Sequence, residues 1–280
     1  MGVLAAFWRR YRRNRAALIG LAIVVVVVIM AFSAPWLFPH DPLRIVGPSE
    51  LWPMQDARFP LGTDSLGRDV AAGIFYGAGT TLLIGLVASL VATIIGVTIG
   101  ALAGYYGGWW DDALMRFTEI FQTIPNLIFL LALVAVLGPT IENVVLGIGI
   151  ISWTSIARLV RAEFMSLRDR EFVLAGRAMG MSDLRLIATQ ILPNAIPPVI
   201  VLASLIVAGA VLFESALSFL GLSDPNIASW GRLIGEGRLL IRTSWYICAI
   251  PGVAILVTVL ALNLIGDGLN DAFNPKLRNR

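Results

Sequence analysis

Few residues in this chain could do chemistry on a bound molecule. Its 280 residues include one histidine, His40, one cysteine, Cys248, and a single lysine, Lys276. His40 has no nearby His or Cys that would complete a metal site, so we interpret it as a turn residue and predict no metal centre. Cys248 lies within an apolar run, which is typical of a small packing residue.

Sequence motifs for nucleotide binding and hydrolysis are missing. A phosphate-binding loop needs a lysine followed by Ser or Thr, whereas Lys276 is followed by Leu277. There is also no His-Glu-x-x-His motif and no Ser–His or Ser–Lys pair within the apolar stretches. We therefore predict that the chain is not an enzyme and that it holds no cofactor of its own.

Two polar residues stand inside long apolar stretches, Glu214 and, as a weaker candidate, Asn263. An ionisable group at membrane depth is costly and normally faces a bundle interior or an aqueous path. The sequence leaves two interpretations open for Glu214, a role in a path or gate and a structural hydrogen bond to a neighbouring helix.

A charged, amphipathic segment, 171–194, interrupts the apolar stretches. We predict a first helix from Arg170 to Met179 that ends at Gly180, because glycine is the usual residue type after a helix. Ser182 or Asp183 can begin a second helix, which should end before Pro193. Two short helices joined by a turn form a compact knob.

The first of these helices carries apolar residues at helical spacing. They are Phe172, Ala175, Ala178 and Met179, whereas Arg170 and Arg177 lie elsewhere on the circumference. Such a face must be buried against the chain's own helix ends, the membrane surface or a groove on a partner. Spacing alone does not choose among the three.

The elements that position these residues are membrane spans. The chain is 58% hydrophobic and only 14% charged, whereas a soluble domain carries about 25% charge. The apolar runs have the length needed to cross a bilayer, with a kink expected at Pro125 and a polar loop at 105–116. The six predicted spans are 16–37, 80–104, 119–137, 141–159, 196–220 and 245–265.

Basic residues give the orientation. If the N-terminus is inside, 15 of the 21 basic residues fall on inside segments and six outside, which predicts both termini and the 160–195 segment in the cytoplasm. Three arginines in 221–244 oppose this rule, which leaves open a re-entrant or partner-binding loop and a plain solvated loop.

The five arginines and the apolar run that follows them also look like a signal peptide. The run from Ala16 to Leu37 exceeds the usual length of a signal core and lacks a clear small-x-small cleavage site, so we predict an uncleaved first transmembrane helix. We divide the chain into 1–79, a core at 80–271 with its loop at 165–195, and a tail at 272–280.

The knob segment resembles the signature loop of permease subunits of ABC importers, a Glu-Ala-Ala-x3-Gly pattern that closes with Ile-x-Leu-Pro. The matching positions are Leu174, Ala175, Gly176, Gly180, Ile191 and Pro193. Leu174 and Gly176 depart from the pattern. The resemblance implies that this loop seats in a cleft of an ATPase subunit. The residues implied for docking are Phe172, Leu174, Ala175, Gly176, Arg177, Ala178, Met179, Gly180, Met181, Ser182 and Asp183.

Three further stretches narrow the resemblance to dipeptide, oligopeptide and nickel permeases. They are 60–69 with Tyr76-Gly77, 215–222 with 229–231, and 263–271 with Pro275. The first of them is similar to the segment before the second span of the second, C-type permease subunit.

The resemblance implies an all-α, polytopic type I importer permease in the bacterial inner membrane, with a cytoplasmic coupling helix. It would pair with a homologous permease, two ATP-binding subunits that hold ATP and Mg, and an extracytoplasmic substrate-binding protein. Short peptides or related solutes are the implied substrates. A self-sufficient secondary transporter or channel is the alternative, and an intramembrane enzyme the more distant one. No nucleic-acid partner is expected, since the arginines flank apolar spans and do not form one basic face.

Overall fold

A computed structural model describes residues 3–222 and 224–273, with side chains from Phe7 onward. Regular secondary structure in these ranges is entirely helical, which confirms the predicted all-α class. The basic end of the predicted tail, with Pro275 and Lys276, lies outside the described residues.

The helices follow one another with short connections, apart from the segments 38–69 and 220–229. They are α1 (Val3–Tyr11), α2 (Arg15–Leu37), α3 (Val70–Tyr106), α4 (Gly108–Thr123), α5 (Asn126–Leu137), α6 (Ile141–Leu167), α7 (Glu171–Ala178), α8 (Asp183–Leu186), a π segment (Ile187–Ile191), α9 (Leu192–Phe219), α10 (Trp230–Gly237), a 3-10 turn (Arg238–Leu240) and α11 (Tyr246–Phe273).

Five helical stretches in the described ranges are long and apolar enough to cross a membrane, and the pair α4–α5 makes a sixth if it counts as one broken span. The break at Ile124–Pro125 bends the pair by 82°, which is far more than the predicted kink. Proline restricts the residue before it to extended geometry, and Ile124 adopts this geometry, so the helix ends there.

Several boundaries differ from the predictions. α6 and α11 each end eight residues beyond the predicted spans, and larger differences occur at the start of α3 and after it. α3 begins at Val70, ten residues before the predicted span, because Asp69 caps it by accepting a hydrogen bond from the Ala71 backbone N–H at 2.8 Å. The predicted loop at 105–116 is mostly α4, an amphipathic helix that starts at the second of two adjacent glycines. The composition of 105–116 suggested a loop because a surface helix such as α4 carries charged residues on one face and apolar or aromatic residues on the other.

α3 and α6 form the centre of the bundle. Glycines on one face of α3 let the two backbones approach closely. A Cβ atom added to Gly96 would lie 2.7 Å from the carbonyl oxygen of Trp153, and one added to Gly104 would lie 2.6 Å from that of Arg161. Helix pairing here therefore depends on the absence of side chains.

The segment 38–69 lies against α10 and the start of α11. The Ser244 hydroxyl donates to Glu50 at 2.6 Å, and the Tyr246 hydroxyl donates to the Leu51 carbonyl at 2.8 Å. Arg68 donates to both oxygens of Glu236 at 3.1 Å. The segment 38–69, together with the segment 224–245 that contains α10 and the 3-10 turn, thus forms a folded cap on one end of the bundle.

Two of the three arginines that oppose the orientation rule have structural partners in this cap. Arg232 is buried, donates to Glu236 at 2.8 Å and also donates to the Pro225 carbonyl at 2.6 Å. Arg238 donates to the carbonyl of Phe219 at the end of α9. Because these two charges have local partners, their position need not follow the distribution of basic residues that predicts orientation.

Contacts between loops and helix ends agree with the prediction that successive loops lie on alternate sides of the membrane. Asn14 donates to Asp271 at 2.9 Å, and Arg168 donates to the Gly104 carbonyl at 3.1 Å, so predicted inside segments contact each other. The cap joins only predicted outside segments. We call the end of the bundle that carries α7 and α8 the knob side, and the opposite end the cap side.

Candidate functional site

The segment Glu171–Ile191, which we call the knob, contains the predicted turn between two short helices. α7 ends at Ala178, and Gly180 follows with a φ of +78°, a conformation that favours glycine. The Met181 N–H donates to the Gly176 carbonyl at 3.1 Å and closes the turn. Ser182 occupies the capping position of α8, although its side chain makes no capping hydrogen bond.

The face of the knob that packs on the bundle differs from the predicted apolar face. Val173 and Leu186 are fully buried in a cluster that includes Phe164. Gly176 is also buried, and a Cβ atom added there would lie 2.8 Å from Leu186, so this glycine serves packing inside the knob. The sequence pattern missed Val173 because a single β-branched residue gives no periodic signal in an eight-residue helix.

The predicted apolar face of α7 is left uncovered. Phe172, Ala175, Ala178 and Met179 are all exposed, and Met179 has 75% of its surface accessible. Leu174 and Leu184 are exposed beside them. The described residues therefore leave a compact apolar surface at the tip of the knob with nothing packed on it.

Polar contacts tie the knob to the end of α3. The Tyr105 hydroxyl donates to the Asp183 carboxylate at 2.6 Å. The Arg177 guanidinium donates to the same hydroxyl at 3.5 Å and lies 5.9 Å from the Tyr105 ring centroid. These contacts fix the orientation of the exposed surface relative to the spans.

The second helix of the knob does not end before Pro193, contrary to the prediction. It continues through the π segment into α9, so that Asp183–Phe219 is one helical stretch of 37 residues. In the π segment the Leu192 N–H donates to the Ile187 carbonyl, five residues back. This wider turn displaces the carbonyl that would otherwise clash with the ring of Pro193.

Glu214 lies near the far end of this continuous helix, on the cap side. It is 4% exposed, and its Oε1 atom accepts hydrogen bonds from Ser218 at 2.9 Å and from Ser229 at 2.7 Å. Ser229 also caps α10 by accepting from the Arg232 N–H at 3.1 Å. Glu214 thus joins α9 to α10, which favours the structural interpretation over a path role.

The second oxygen of Glu214 has no hydrogen-bond partner among the described residues. A cavity of about 10 Å³ adjoins it, lined also by Ser218, Asp224 and Ser229, which is about the room that one water molecule needs. The other candidate, Asn263, donates to the Val259 carbonyl of its own helix at 3.0 Å. Glu214 is therefore buried, and Asn263 is half-buried.

Exposed polar residues lie along the broken span that α4 and α5 form. Glu119, Gln122, Thr123 and Asn126 are exposed, and together they flank the break at Pro125. Sequence reasoning noted the proline but not these neighbours. The available signal was a proline flanked by polar residues within an otherwise apolar span.

A cavity of about 380 Å³ lies between α4 and α6, below the break and towards the knob side. Its charged lining residues are Asp112, Arg116, Glu119, Arg158 and Arg161. Arg161 forms an ion pair with Asp111, whose second oxygen it contacts at 2.6 Å. Arg116 and Arg158 have no ion pair or side-chain hydrogen bond within 3–222 and 224–273.

Comparisons with protein families place most of the chain in two matches. Residues 96–279 match the family described as binding-protein-dependent transport system inner membrane component. Residues 3–57 match the N-terminal TM domain of oligopeptide transport permease C. The two matches together include the knob, the broken span and the first span.

Curated relatives match over nearly the whole length. The di/tripeptide transport system permease protein DppC of Pseudomonas aeruginosa (strain UCBPP-PA14) is 39% identical over 282 residues, covering 99% of this chain and 93% of the relative. The glutathione transport system permease protein GsiD of Escherichia coli O6:K15:H31 (strain 536 / UPEC) is 35% identical over 273 residues, covering 97% and 90%.

Among solved structures, the inward-facing methionine ABC transporter MetNI contains a similar chain. The TM-score is 0.58 at 19% sequence identity, with 71% of this chain and 95% of that chain covered. At this identity the likeness concerns the fold alone, and it confirms the predicted importer-permease architecture.

Proposed function

The chain belongs to the family of binding-protein-dependent transport system inner membrane components, and from that premise we propose that it is the C-type permease subunit of an ATP-driven importer of short peptides. Relatives named as permeases for di/tripeptides and for glutathione support a multi-pass membrane permease of this kind. The resemblance of 60–69 to dipeptide and oligopeptide permeases points the same way.

One observation supports the proposal that an ATPase subunit docks on the knob. The knob holds an exposed apolar surface, Phe172 to Met179, on a support that is itself packed and hydrogen-bonded to the bundle. An apolar helix face of this size is stabilised by insertion into a groove on a partner. We assign the groove to a separate ATPase subunit, because this sequence contains no phosphate-binding loop.

The fold also supports a route for the signal. The helical stretch Asp183–Phe219 begins in the knob and reaches Glu214, which is hydrogen-bonded to α10 in the cap. Movement of the knob by an ATPase would therefore be transmitted along one helix to the cap side. There a substrate-binding protein would deliver the peptide.

The proposed assembly contains this chain, a homologous second permease, two ATP-binding subunits that hold ATP and Mg, and the extracytoplasmic binding protein. We place the knob and both termini in the cytoplasm, in accordance with the excess of arginine on that side. The cap then lies outside the inner membrane.

The test is co-purification from cells that express the chain with its candidate permease and ATPase partners. A detergent-stable complex whose ATPase activity is stimulated by the loaded binding protein is expected, together with ATP-dependent peptide uptake in proteoliposomes. A wild-type chain that never isolates with an ATPase, or that transports without one, would contradict the proposal and favour a secondary transporter.

A further inference from the structure

Resting on the proposed function, we propose that the cavity between α4 and α6 is a binding site on the exit route of the substrate, where it takes the charged ends of a free peptide. The cavity is lined by Arg116 and Arg158 on one hand and by Asp112 and Glu119 on the other.

The first step of the argument concerns water. Glu119, Gln122 and Asn126 are exposed along the broken span, and none of the three side chains has a hydrogen-bond partner in the described part of the chain. Polar groups at this depth cannot face lipid without a large cost in free energy, and a broken helix is tolerated where it lines a water-filled cavity or protein. The break therefore marks the wall of an aqueous route.

The second step connects this wall to the cavity. Glu119 belongs to both, since it flanks the break and lines the cavity. The other four charged lining residues lie further towards the knob side, on α4 and on the last turns of α6. A molecule leaving the break towards the knob side would meet these charges next.

The third step concerns the chemistry of the ligand. A free peptide at neutral pH carries an ammonium group at one end and a carboxylate at the other. Arg116 and Arg158 offer donors for the carboxylate, and Asp112 and Glu119 accept from the ammonium group. The volume of about 380 Å³ lies within the range of small-molecule sites.

The mixture of charges also argues against a simple anion site. Three arginines line the cavity beside the two carboxylates, and Arg161 is already paired with Asp111. A phosphate bound by the other arginines would leave Asp112 and Glu119, which form no ion pair within the described ranges, without a cationic partner. A zwitterion can pair with both sets of charges, with its carboxylate on the arginines and its ammonium group on the carboxylates.

The experiment is calorimetric titration of the purified importer complex in nanodiscs, without the binding protein, using alanyl-alanine as the probe. Arg158→Gln and Glu119→Gln should each weaken binding about tenfold, because each removes a charge-assisted contact. N-acetyl-alanyl-alanine and alanyl-alanine amide should bind as weakly as the variants that lack the matching charge. Arg12→Gln is the matched control, since Arg12 is exposed at a predicted inside position without a side-chain partner among the described residues.

Failure of this inference is distinguishable from failure of the proposed function. Wild-type complex that transports peptide but does not bind alanyl-alanine, or that binds it equally in all variants and with blocked ends, would overturn the exit site alone. If the variants do not assemble, binding of the two blocked peptides to the wild-type complex still tests whether the site recognises the charged ends. Equal binding of blocked and free peptides would contradict it.

Discussion

The hydroxyl of Tyr105 donates a hydrogen bond to the carboxylate of Asp183 at 2.6 Å, across 78 positions of sequence. Tyr105 is the penultimate residue of α3, and Asp183 is the first residue of α8. The pair therefore joins the central helix of the bundle to the start of the helical stretch that leads to the cap. We propose that this joint contributes to the coupling of the knob to the bundle.

Loss of the joint should uncouple ATP hydrolysis from transport. Tyr105→Phe keeps the ring and removes one hydrogen bond to a charged group, worth about 2 kcal/mol. We expect normal amounts of assembled complex but fewer peptides transported per ATP hydrolysed in proteoliposomes. Tyr106→Phe is the matched control, because the neighbouring tyrosine is exposed and its hydroxyl makes no hydrogen bond within the described residues. Equal coupling ratios in both variants would remove the joint from the mechanism.

Charge placed on the exposed apolar surface of the knob should prevent docking of the ATPase. Met179→Asp and Ala175→Asp would each put a carboxylate into an apolar groove, at a cost of several kcal/mol. We expect loss of the ATPase subunits from the purified complex while the two permeases remain together. The measurement is the subunit ratio after affinity purification.

Leu239→Asp is the control for that experiment, since Leu239 is 84% exposed in the 3-10 turn of the cap. Retention of the ATPase by Met179→Asp would exclude this surface as the anchor. Gly180 is a poorer site for the test. Its φ of +78° strains any bulky replacement, so that a change in the turn and a change in docking could not be separated.

We expect stability and uptake to depend on the hydrogen-bond acceptor oxygen of Glu214 and not on its negative charge. Glu214→Gln keeps an oxygen for Ser218 and Ser229, whereas Glu214→Ala leaves both buried hydroxyls without it and costs about 2–4 kcal/mol. We expect near-normal uptake for the first variant and a lower melting temperature for the second. A folded Glu214→Gln protein without uptake would show instead that the carboxylate takes part in transport.

Asp64 should make the cap less stable as pH rises. Burial raises the pKa of this carboxyl, although backbone N–H donors of Arg68 and Leu66 oppose the shift. A carboxyl whose pKa is raised by folding contributes stability below its unfolded pKa of about 3.9, and this contribution is lost as pH rises through the folded pKa. We expect Asp64→Asn, which keeps one acceptor oxygen, to flatten the pH dependence of the melting temperature above about pH 4.

Asp56→Asn gives a comparison of opposite sign in the same segment. A hydrogen bond from Arg58 lowers the pKa of Asp56, so its contribution is present above the unfolded pKa and is lost on acidification. Melting curves of the purified protein between about pH 2 and pH 8 measure both, with the Asp56 effect in the acid part of the range and the Asp64 effect above about pH 4. A steeper pH dependence in Asp64→Asn than in wild type would contradict the assignment.

Much of the fold follows from the sequence, because bilayer thickness forces each span into a long apolar run. The alternation of arginines also predicted which loops contact each other. The ends of the helices were predicted less well from the sequence. Pro193 suggested a helix end, yet this proline and two more, Pro197 and Pro198, all lie within α9. The π segment that accommodates the first of them has no sequence signal of its own.

The candidate site was predictable only in part. The turn at Gly180 and the exposed face of α7 were found from glycine chemistry and helical spacing. The inward face was not, since Val173 joins a cluster that includes residues of α3 and α6, and Gly176 packs against Leu186 of the next helix. Path residues were sought at Glu214, where charge stood out against an apolar background. A lone charge in a span does not reveal whether serines on another segment will satisfy it.

The π segment at Ile187–Ile191 holds more residues per turn than the α-helix on either side of it. If it relaxed to α geometry, the residue released would rotate all of α9 by about 100° relative to the knob, since each residue of an α-helix turns by one part in 3.6. Glu214 would then point away from Ser229, and the hydrogen bond that joins α9 to the cap at this point would be lost. Such a change in the π segment would convert a small movement at the knob into a rotation of α9 at its opposite end.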